Sequence, residues 1–447
     1  MKATKIFMMA ALALTFAACS NNDDNDFAQQ PAEQPANGEI TITATLDAND
    51  GASTRALSID GSNIASTWAT TDQFAILYNN GTEDTKSIAT VDKIDGTTVT
   101  ITFTIPATLA NNTDCKIVYP ASAANAANTG ADVATALAAQ DGTIGNCPEV
   151  RVGTATIDKD NHSLTSVTKL AAQNTIFKFT LQDLSAAAKS ATEFKVSDGS
   201  GNVITTVTPT SASGELYVAL PVMTVGTYWF NATIAAKPYI AKATIAVATV
   251  AGKYYQTTVK MATIGDVILS DGKFAVAGTA DQLAKIAYLG NDAETSTTYN
   301  HGLALALADV SGTKTWCSQI DKTCLVTQYN SSTKFNDLAG IANTNALVRL
   351  SGHTHAAAIA ARDYNPGTHP TGTSAWFLPS AGQWNKMIGA TGLGLNNLGL
   401  QKSEKYWSST ESLAGFAWNF YYYSSNANWS DEGKKDSGIR VRACLAF

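Results

Sequence analysis

Short runs in which every second residue is apolar recur along the front of this 447-residue chain, and they commit it to β-sheet. Ile40-Thr41-Ile42-Thr43-Ala44-Thr45-Leu46 and Val99-Thr100-Ile101-Thr102-Phe103-Thr104-Ile105 alternate with period two, which puts every apolar side chain of a strand on one face. Shorter runs of the same character cover Phe74 to Tyr78, Lys116 to Tyr119, Ile176 to Leu181, Phe194 to Val196, Val203 to Val207, Glu215 to Leu220, Thr227 to Ile234 and Tyr254 to Met261. Asn80-Gly81, Asp95-Gly96, Asp198-Gly199 and Ser213-Gly214 punctuate them as turns. Only Asp132 to Gln140 and Leu184 to Ala191, both alanine-rich, read as helices here. Many short strands with one apolar face predict sandwiches. Glu39 to about Lys260 is enough chain for two, since one needs ~100 residues. We place the seam near Val167 to Leu170, giving bodies over 39–168 and 169–263.

The first residues have a different purpose. Lys2 and Lys5 precede an apolar run, Ile6 to Ala18, too short to span a bilayer. Residues 1–18 therefore read as a removed signal peptide. Cys19 follows the small pair Ala17-Ala18 and resembles the modified cysteine of a bacterial lipobox, with Phe16 where Leu is usual. That resemblance implies a lipid on Cys19 as the membrane anchor. Residues 19–38, opening Ser20-Asn21-Asn22-Asp23-Asp24-Asn25-Asp26, are too polar and acidic to bury a core and read as a solvated tether.

A net charge of −7 excludes a polyanion-binding protein, which needs a surplus of Lys and Arg. Six cysteines, less Cys19, leave an odd number. Cys115 and Cys147, alone in the first half, form the simplest disulfide. Cys317, Cys324 and Cys444 leave the rest open: Cys317 with Cys324 closes a local loop, while Cys444 with Cys324 or another partner staples the last strand.

From Ile264 the character changes, and 264–447 reads as an α+β body. Leu338 to Asn345, Thr354 to Tyr364 and Ser380 to Ile388 read as helices, the last opened by a capping-box pair, Ser380 and Gln383. Gly438 to Phe447 reads as a closing strand. Aromatics and amides crowd Trp418 to Trp429. Trp418, Asn419, Tyr422, Asn426, Asn428 and Trp429 are the candidate ligand-binding set, because rings stack on sugar faces while amides bond hydroxyls. His353-Thr354-His355 looks like a metal pair but is read as flanking a helix, with no cysteine or carboxylate nearby in sequence to complete a set. Asp431, Glu432 and Asp436 read as a solvated loop. The chain has no Gly-x-Ser-x-Gly elbow, phosphate loop or HExxH, so neither catalysis, cofactor nor metal is expected.

Two family resemblances sharpen this. Ile42 to Leu77, with Thr54-Arg55-Ala56, Trp68 and Asp72-Gln73-Phe74-Ala75-Ile76-Leu77, together with Val152-Gly153 through Leu170 and Ile176-Phe177-Lys178-Phe179, resembles the Bacteroidetes fimbrillins, subunits of type V pili. Ile264-Gly265-Asp266, Gly302 to Asp309, Trp376 to Trp384, Tyr406 to Glu411 and Ile439 to Cys444 resemble C-type-lectin-like domains of the Fibrobacter succinogenes major-paralogue kind. The implied fold is mainly β: two tandem fimbrillin-like sandwiches, then a C-type-lectin-like domain. The first resemblance implies an outer-membrane, surface-exposed lipoprotein cut between Arg55 and Ala56, then joined to other pilin subunits by donor-strand exchange. A C-terminus folded into its own domain has no strand to give, which implies a tip subunit whose lectin-like end meets a glycan or protein receptor. The alternative is a surface glycan- or protein-binding lipoprotein that never polymerises. Calcium-dependent sugar binding does not carry over, because Trp384-Asn385-Lys386 and Trp418-Asn419-Phe420 lack the acidic third residue of that motif.

Overall fold

The computed structural model describes residues 38–47, 58–60, 63–65, 68–96, 98–290, 292–296, 298–319, 323–364, 369–434, 436 and 438–447. Cys19, Arg55 and Ala56 lie outside them. Among the described residues no helix is long and apolar enough to cross a membrane.

The fold is mainly β, as the alternation requires. The first body contains β1 (Glu39–Asp47), β2 (Ser58–Asp60), β3 (Asn63–Ala65), β4 (Gln73–Asn79), β5 (Asp84–Asp95), β6 (Thr98–Pro106) and β7 (Thr113–Tyr119). After α1 (Val133–Leu137) come β8 (Ala139–Gln140), β9 (Arg151–Asp158), β10 (Ser163–Thr165) and β11 (Ala171–Ala172). Its main sheet runs β1-β6-β5-β4-β7-β9-β10, with β11 also on β9, and β2 pairs with β3 as a separate hairpin. The sheet curls until its outer strands meet: the Thr43 N–H donates to the His162 carbonyl at 3.1 Å. Ile42, Leu46, Phe74, Ile101, Phe103, Ile117 and Ile157 fill the enclosed space.

The second body holds β12 (Asn174–Asp183), β13 (Glu193–Ser197), β14 (Val203–Val207), β15 (Glu215–Pro221), β16 (Gly226–Ile234), β17 (Lys237–Ile245) and β18 (Tyr254–Thr263). Its path is β15-β12-β18-β17-β16-β13-β14-β8. β18 lies parallel to β12 along most of its length, then turns to pair with Tyr239 and Ile240 of β17. One strand thus serves two layers, and Phe179 meets Phe194 and Phe230 between them at 5.3 and 5.5 Å. The first two bodies interlock. β8 extends the second sheet, pairing with β14, while β11 extends the first. Buried Gln140 holds the crossing, accepting from the Ala219 N–H and donating to the Leu137 and Ala219 carbonyls.

Leu184 to Ala191, expected as a helix, turns instead. The Asp183 carboxylate accepts from the Ser185 and Ala187 N–H groups at 2.9 and 3.0 Å, and Ala186 takes φ +66°. A capping carboxylate that satisfies these donors in a turn outweighs the modest helix preference of a short alanine run. The strands expected from sequence are present, together with β2, β3, β5, β8 to β11 and β17, which were not foreseen; β8 takes the last two residues of the helix expected over Asp132 to Gln140.

The third body begins with β19 (Val267–Leu269), β20 (Phe274–Ala275), β21 (Gln282–Leu289) and β22 (Gly302–Ala306). α2 (Gly340–Arg349), α3 (Ala356–Arg362) and α4 (Ala381–Ile388) follow, then β23 (Lys405–Leu413), β24 (Phe416–Tyr423), β25 (Asn426–Gly433) and β26 (Cys444–Ala446). One sheet is ordered β20-β19-β21-β22-β26, the other β23-β24-β25. The capping box at α4 forms as expected, Ser380 and Gln383 each bonding the other's backbone. The three helices lie where the sequence predicts, shifted by a few residues at their ends.

Candidate functional site

β1 pairs along its whole length with β6, from Glu39 opposite Pro106 to Asp47 opposite Thr98. Ile42, Ala44 and Leu46 point into the core while Thr43 and Thr45 face solvent. On its other side β1 meets the β10 end of the sheet through the Thr43–His162 bond and a 3.0 Å contact from the His162 ring Nδ1 to the Thr41 carbonyl. The strand therefore occupies a slot between β6 and the β10 end. Taking β1 away would leave unpaired backbone along β6 and uncover Val99, Ile101, Phe103 and Ile105 on its inner face.

The opposite end of the chain is fixed. β26 pairs with β22, and Phe377 and Cys444 exchange backbone bonds at 3.0 and 2.9 Å. The Phe447 carbonyl accepts from the His301 and Gly302 N–H groups at 2.7 and 3.1 Å. Arg442, buried, donates to the Asp309 carboxylate and to the Ala306 and Gly399 carbonyls. Residues 440–447 are thus an internal part of the third body's core.

The expected aromatic binding set divides. Trp418, Asn419 and Tyr422 are buried. The Trp418 indole donates to the Tyr329 carbonyl and the Tyr422 hydroxyl to the Asn396 amide oxygen, so these side chains hold the domain together rather than facing a ligand. Trp429 packs on Phe420 and Phe335. Asn426 and Asn428 are exposed, and opposite them in register stand Tyr423 and Tyr421. Those two rings stack at 5.8 Å with planes 21° apart, beside the Lys405–Glu432 ion pair. The outward surface of this sheet is therefore Tyr421, Tyr423, Asn426 and Asn428. Strand parity would have found the tyrosines: residues 418, 420 and 422 share one face and 421 and 423 the other. Of the proposed acidic loop, Glu432 is taken by Lys405 and Asp431 accepts from Ser412.

Among the described residues none of Cys115, Cys147, Cys317, Cys324 and Cys444 forms a disulfide, which corrects the expected Cys115–Cys147 bond and realises neither of the alternatives left open for the other three. Cys115 lies inside the curled first sheet beside Ile117. Cys147 packs outside that sheet against Val118, and side chains on opposite faces of a sheet cannot be bridged. Cys444 belongs to the Phe377–Trp384–Tyr406 cluster, whereas Cys324 belongs to the separate cluster of Trp316 and Cys317.

The histidine pair also needs correction. Cys317 and Cys324 come to His353 and His355, and one donor atom from each lies within 4.8 Å of the others. The histidines flank α3 as expected; what the sequence did not show is that two cysteines distant along the chain stand beside them. The two histidines precede α3 in non-helical backbone, and their rings converge to 5.0 Å. Beneath them lies a buried ion pair. Glu411, inaccessible to solvent, accepts from Lys434, from the Cys324 and Leu325 N–H groups at 2.8 Å each, and from Gln328.

Burial raises the Glu294 and Asp337 carboxyls. Both are enclosed by donors, Glu294 by Ile341, Thr295 and Gln383 and Asp337 by Ala339, Asn343 and Thr410. They tie the helix starts to β23 rather than face a cleft.

No family model matches this chain, and no curated protein matches it. Among solved structures it is similar to a fimbrial protein from Bacteroides ovatus, at 14% identity and TM-score 0.28, over 93% of this chain and 100% of that one. A fimbrial assembly protein from Parabacteroides distasonis matches at 12% identity and TM-score 0.26, over 49% of this chain and 90% of that one. Values this low do not establish a shared fold.

Proposed function

We propose that this chain is a surface fimbrial subunit, lipidated at Cys19, cut after Arg55, and completed by a strand given by another subunit. One observation carries the reading. β1 is a nine-residue strand that lies before Arg55, pairs along its whole length with β6 and supplies Ile42, Ala44 and Leu46 to the core of the first body. Cleavage between Arg55 and Ala56 frees β1 together with the anchor. The vacated slot then offers β6 backbone and an apolar floor to any alternating strand, the general logic of β-augmentation. The burial of residues 440–447 supports placement at the fibre tip, since that stretch is closed to donation. The third body then serves as the attachment end, a C-type-lectin-like domain by its sequence resemblance. Its outward Tyr421, Tyr423, Asn426 and Asn428 supply stacked rings and amides of the kind that hold sugar rings. Catalysis has no part in this reading.

The test is N-terminal sequencing of the chain recovered from sheared surface fibres, with immunogold localisation. The expected result is a mature start at Ala56, labelling at fibre ends, and retention in the cell envelope when Arg55 is replaced by Ala. An unprocessed chain on the surface, with no effect of Arg55→Ala, would instead establish the non-polymerising lipoprotein.

A further inference from the structure

We propose that Cys317, Cys324, His353 and His355 form a Cys2His2 zinc site that fastens residues 315–319 and 323–325 to the start of α3. One donor atom from each residue lies within 4.8 Å of the others. In a zinc tetrahedron with Zn–S about 2.3 Å and Zn–N about 2.0–2.1 Å, the donors stand roughly 3.3–3.8 Å apart. Closing on the ion thus asks for shifts of about an ångström, within reach of side-chain rotation alone. Two sulfurs and two imidazoles are the donor set of structural zinc, and no fifth group is needed.

The orphaned nitrogen is independent evidence. His355 is 1% exposed and its ring is hydrogen-bonded to the Leu347 backbone, yet its Nε2 is buried with no hydrogen-bond partner among the described residues. A ring fixed at one nitrogen and bare at the other is how a ligating histidine is oriented. A disulfide between Cys317 and Cys324 would leave Nε2 unanswered, whereas a metal ion satisfies it.

Each sulfur already meets a hydrogen-bond donor. The Gln319 N–H donates to Cys317 Sγ at 3.4 Å and the Lys434 ammonium to Cys324 Sγ at 3.7 Å. The two ligand-bearing segments are already bonded to each other. The Ser318 N–H donates to the Thr354 carbonyl and the Thr354 N–H to Ser318 Oγ, both at 2.9 Å, while Ala357 N–H donates to the Thr315 carbonyl. On binding, each thiol gives a proton to solvent and each neutral imidazole gives a lone pair. Zn2+ with two thiolates is then neutral, and so is the adjoining Glu411–Lys434 pair, so no net charge is buried. His353, only half-buried, leaves an approach for the ion.

The test measures zinc by mass spectrometry in the full chain purified under reducing conditions from zinc-replete cells, and adds Co2+ to protein stripped by a chelator. The expected result is about one zinc per chain, with thiolate-to-cobalt charge-transfer and tetrahedral d–d absorption after Co2+. Cys317→Ser and His355→Ala each lower zinc at least about tenfold, while His369→Asn, an exposed histidine elsewhere, leaves it unchanged. The Co2+ spectrum of the unaltered chain decides the matter even if a ligand variant misfolds. Zinc below about a tenth per chain with no cobalt–thiolate band would overturn the proposal. So would a Cys317–Cys324 disulfide in peptides from protein taken directly from the cell surface.

Discussion

The sharpest prediction concerns the first strand. Insert a site-specific protease sequence after Arg55, cut the folded chain there, and challenge it with a labelled peptide of residues 39–47. Ile42 and Leu46 are fully buried and Ala44 nearly so. At ~1.5–3 kcal/mol for each large side chain and ~0.8 for a methyl-sized group, their burial contributes about 4–7 kcal/mol. Nine residues of ladder with β6 add roughly 0.5–1.5 kcal/mol per hydrogen bond. The total rivals the whole stability of an ordinary domain, ~5–15 kcal/mol, so the cut protein must hold its own strand or find another. Before cutting, the tethered strand excludes the peptide. After cutting, exchange proceeds, and binding is read by fluorescence polarisation. An Ile42→Asp peptide loses the buried side chain and brings in a charge, so it should bind at least ~30-fold more weakly, from the ~2–3 kcal/mol of lost burial alone. Thr45→Asp, on the solvent face, should stay within about threefold. Equal binding of the Ile42→Asp and Thr45→Asp peptides, or equal uptake before and after cutting, would refute the idea that β1 is an exchangeable insert.

Other outcomes follow from the second and third bodies. His301, 5% exposed, stacks 4.2 Å from Trp229; burial, then neighbouring Lys242, pull it from 6.5 down to about 4. A depressed folded value means the unfolded chain takes up the proton first, so stability is intact above pH 6.5 and falls as pH drops toward 4. The loss at pH 5 is about 2 kcal/mol, and His301→Gln should flatten that stretch of a chemical-denaturation pH series. Lys434→Met leaves the buried Glu411 carboxylate without its cation and should cost ~3–5 kcal/mol. Pairing it with Glu411→Gln should cost less than the two single changes added, and urea titration showing plain additivity would sink that coupling. At Gly302 an added Cβ would lie 2.5 Å from the Phe447 ring and 2.8 Å from the Tyr288 carbonyl. Gly302→Ala should therefore cost ~1–3 kcal/mol and quicken amide exchange at residues 444–447.

What could be read from the sequence was what repeats locally. The β1 and β6 alternations mark their buried faces residue by residue, and Ser380 with Gln383 announces α4, because period and capping are properties of neighbouring residues. β5 escaped notice because it lies largely exposed on both faces, so its sequence, Asp84 to Asp95, carries little apolar signal. The aromatic stretch misled for a subtler reason. Trp418 and Tyr422 suggested a binding surface by residue type, but parity along β24 turns them inward and sends Tyr421 and Tyr423 out. The Cys317–Cys324–His353–His355 convergence was illegible, because Cys317 and Cys324 meet residues 353–355 only through the tertiary fold. Nothing in the spacing of two distant pairs reports that meeting.

The two chain regions on which the assembly reading depends differ in kind, and their hydrogen bonding says why. β1 is bonded almost wholly through one ladder to β6, with His162, just before β10, adding two contacts, so a strand of the same register would recover nearly all of its bonds from β6 alone. Residues 439–447 are bonded in several directions at once. Lys314 bridges Ile439 and Tyr406 bridges Arg440, Phe377 pairs with Cys444 while Ser374 meets Ala446, and Gly302 closes on Phe447. Arg442 also draws Asp309, Ala306 and Gly399 together. Withdrawing this segment would orphan buried donors on four separate stretches of chain, each costing ~1–3 kcal/mol, with no single incoming strand able to satisfy them. In the proposed assembly this subunit would accept a strand at the β1 slot and give none from residues 440–447, so it would end a fibre rather than extend it.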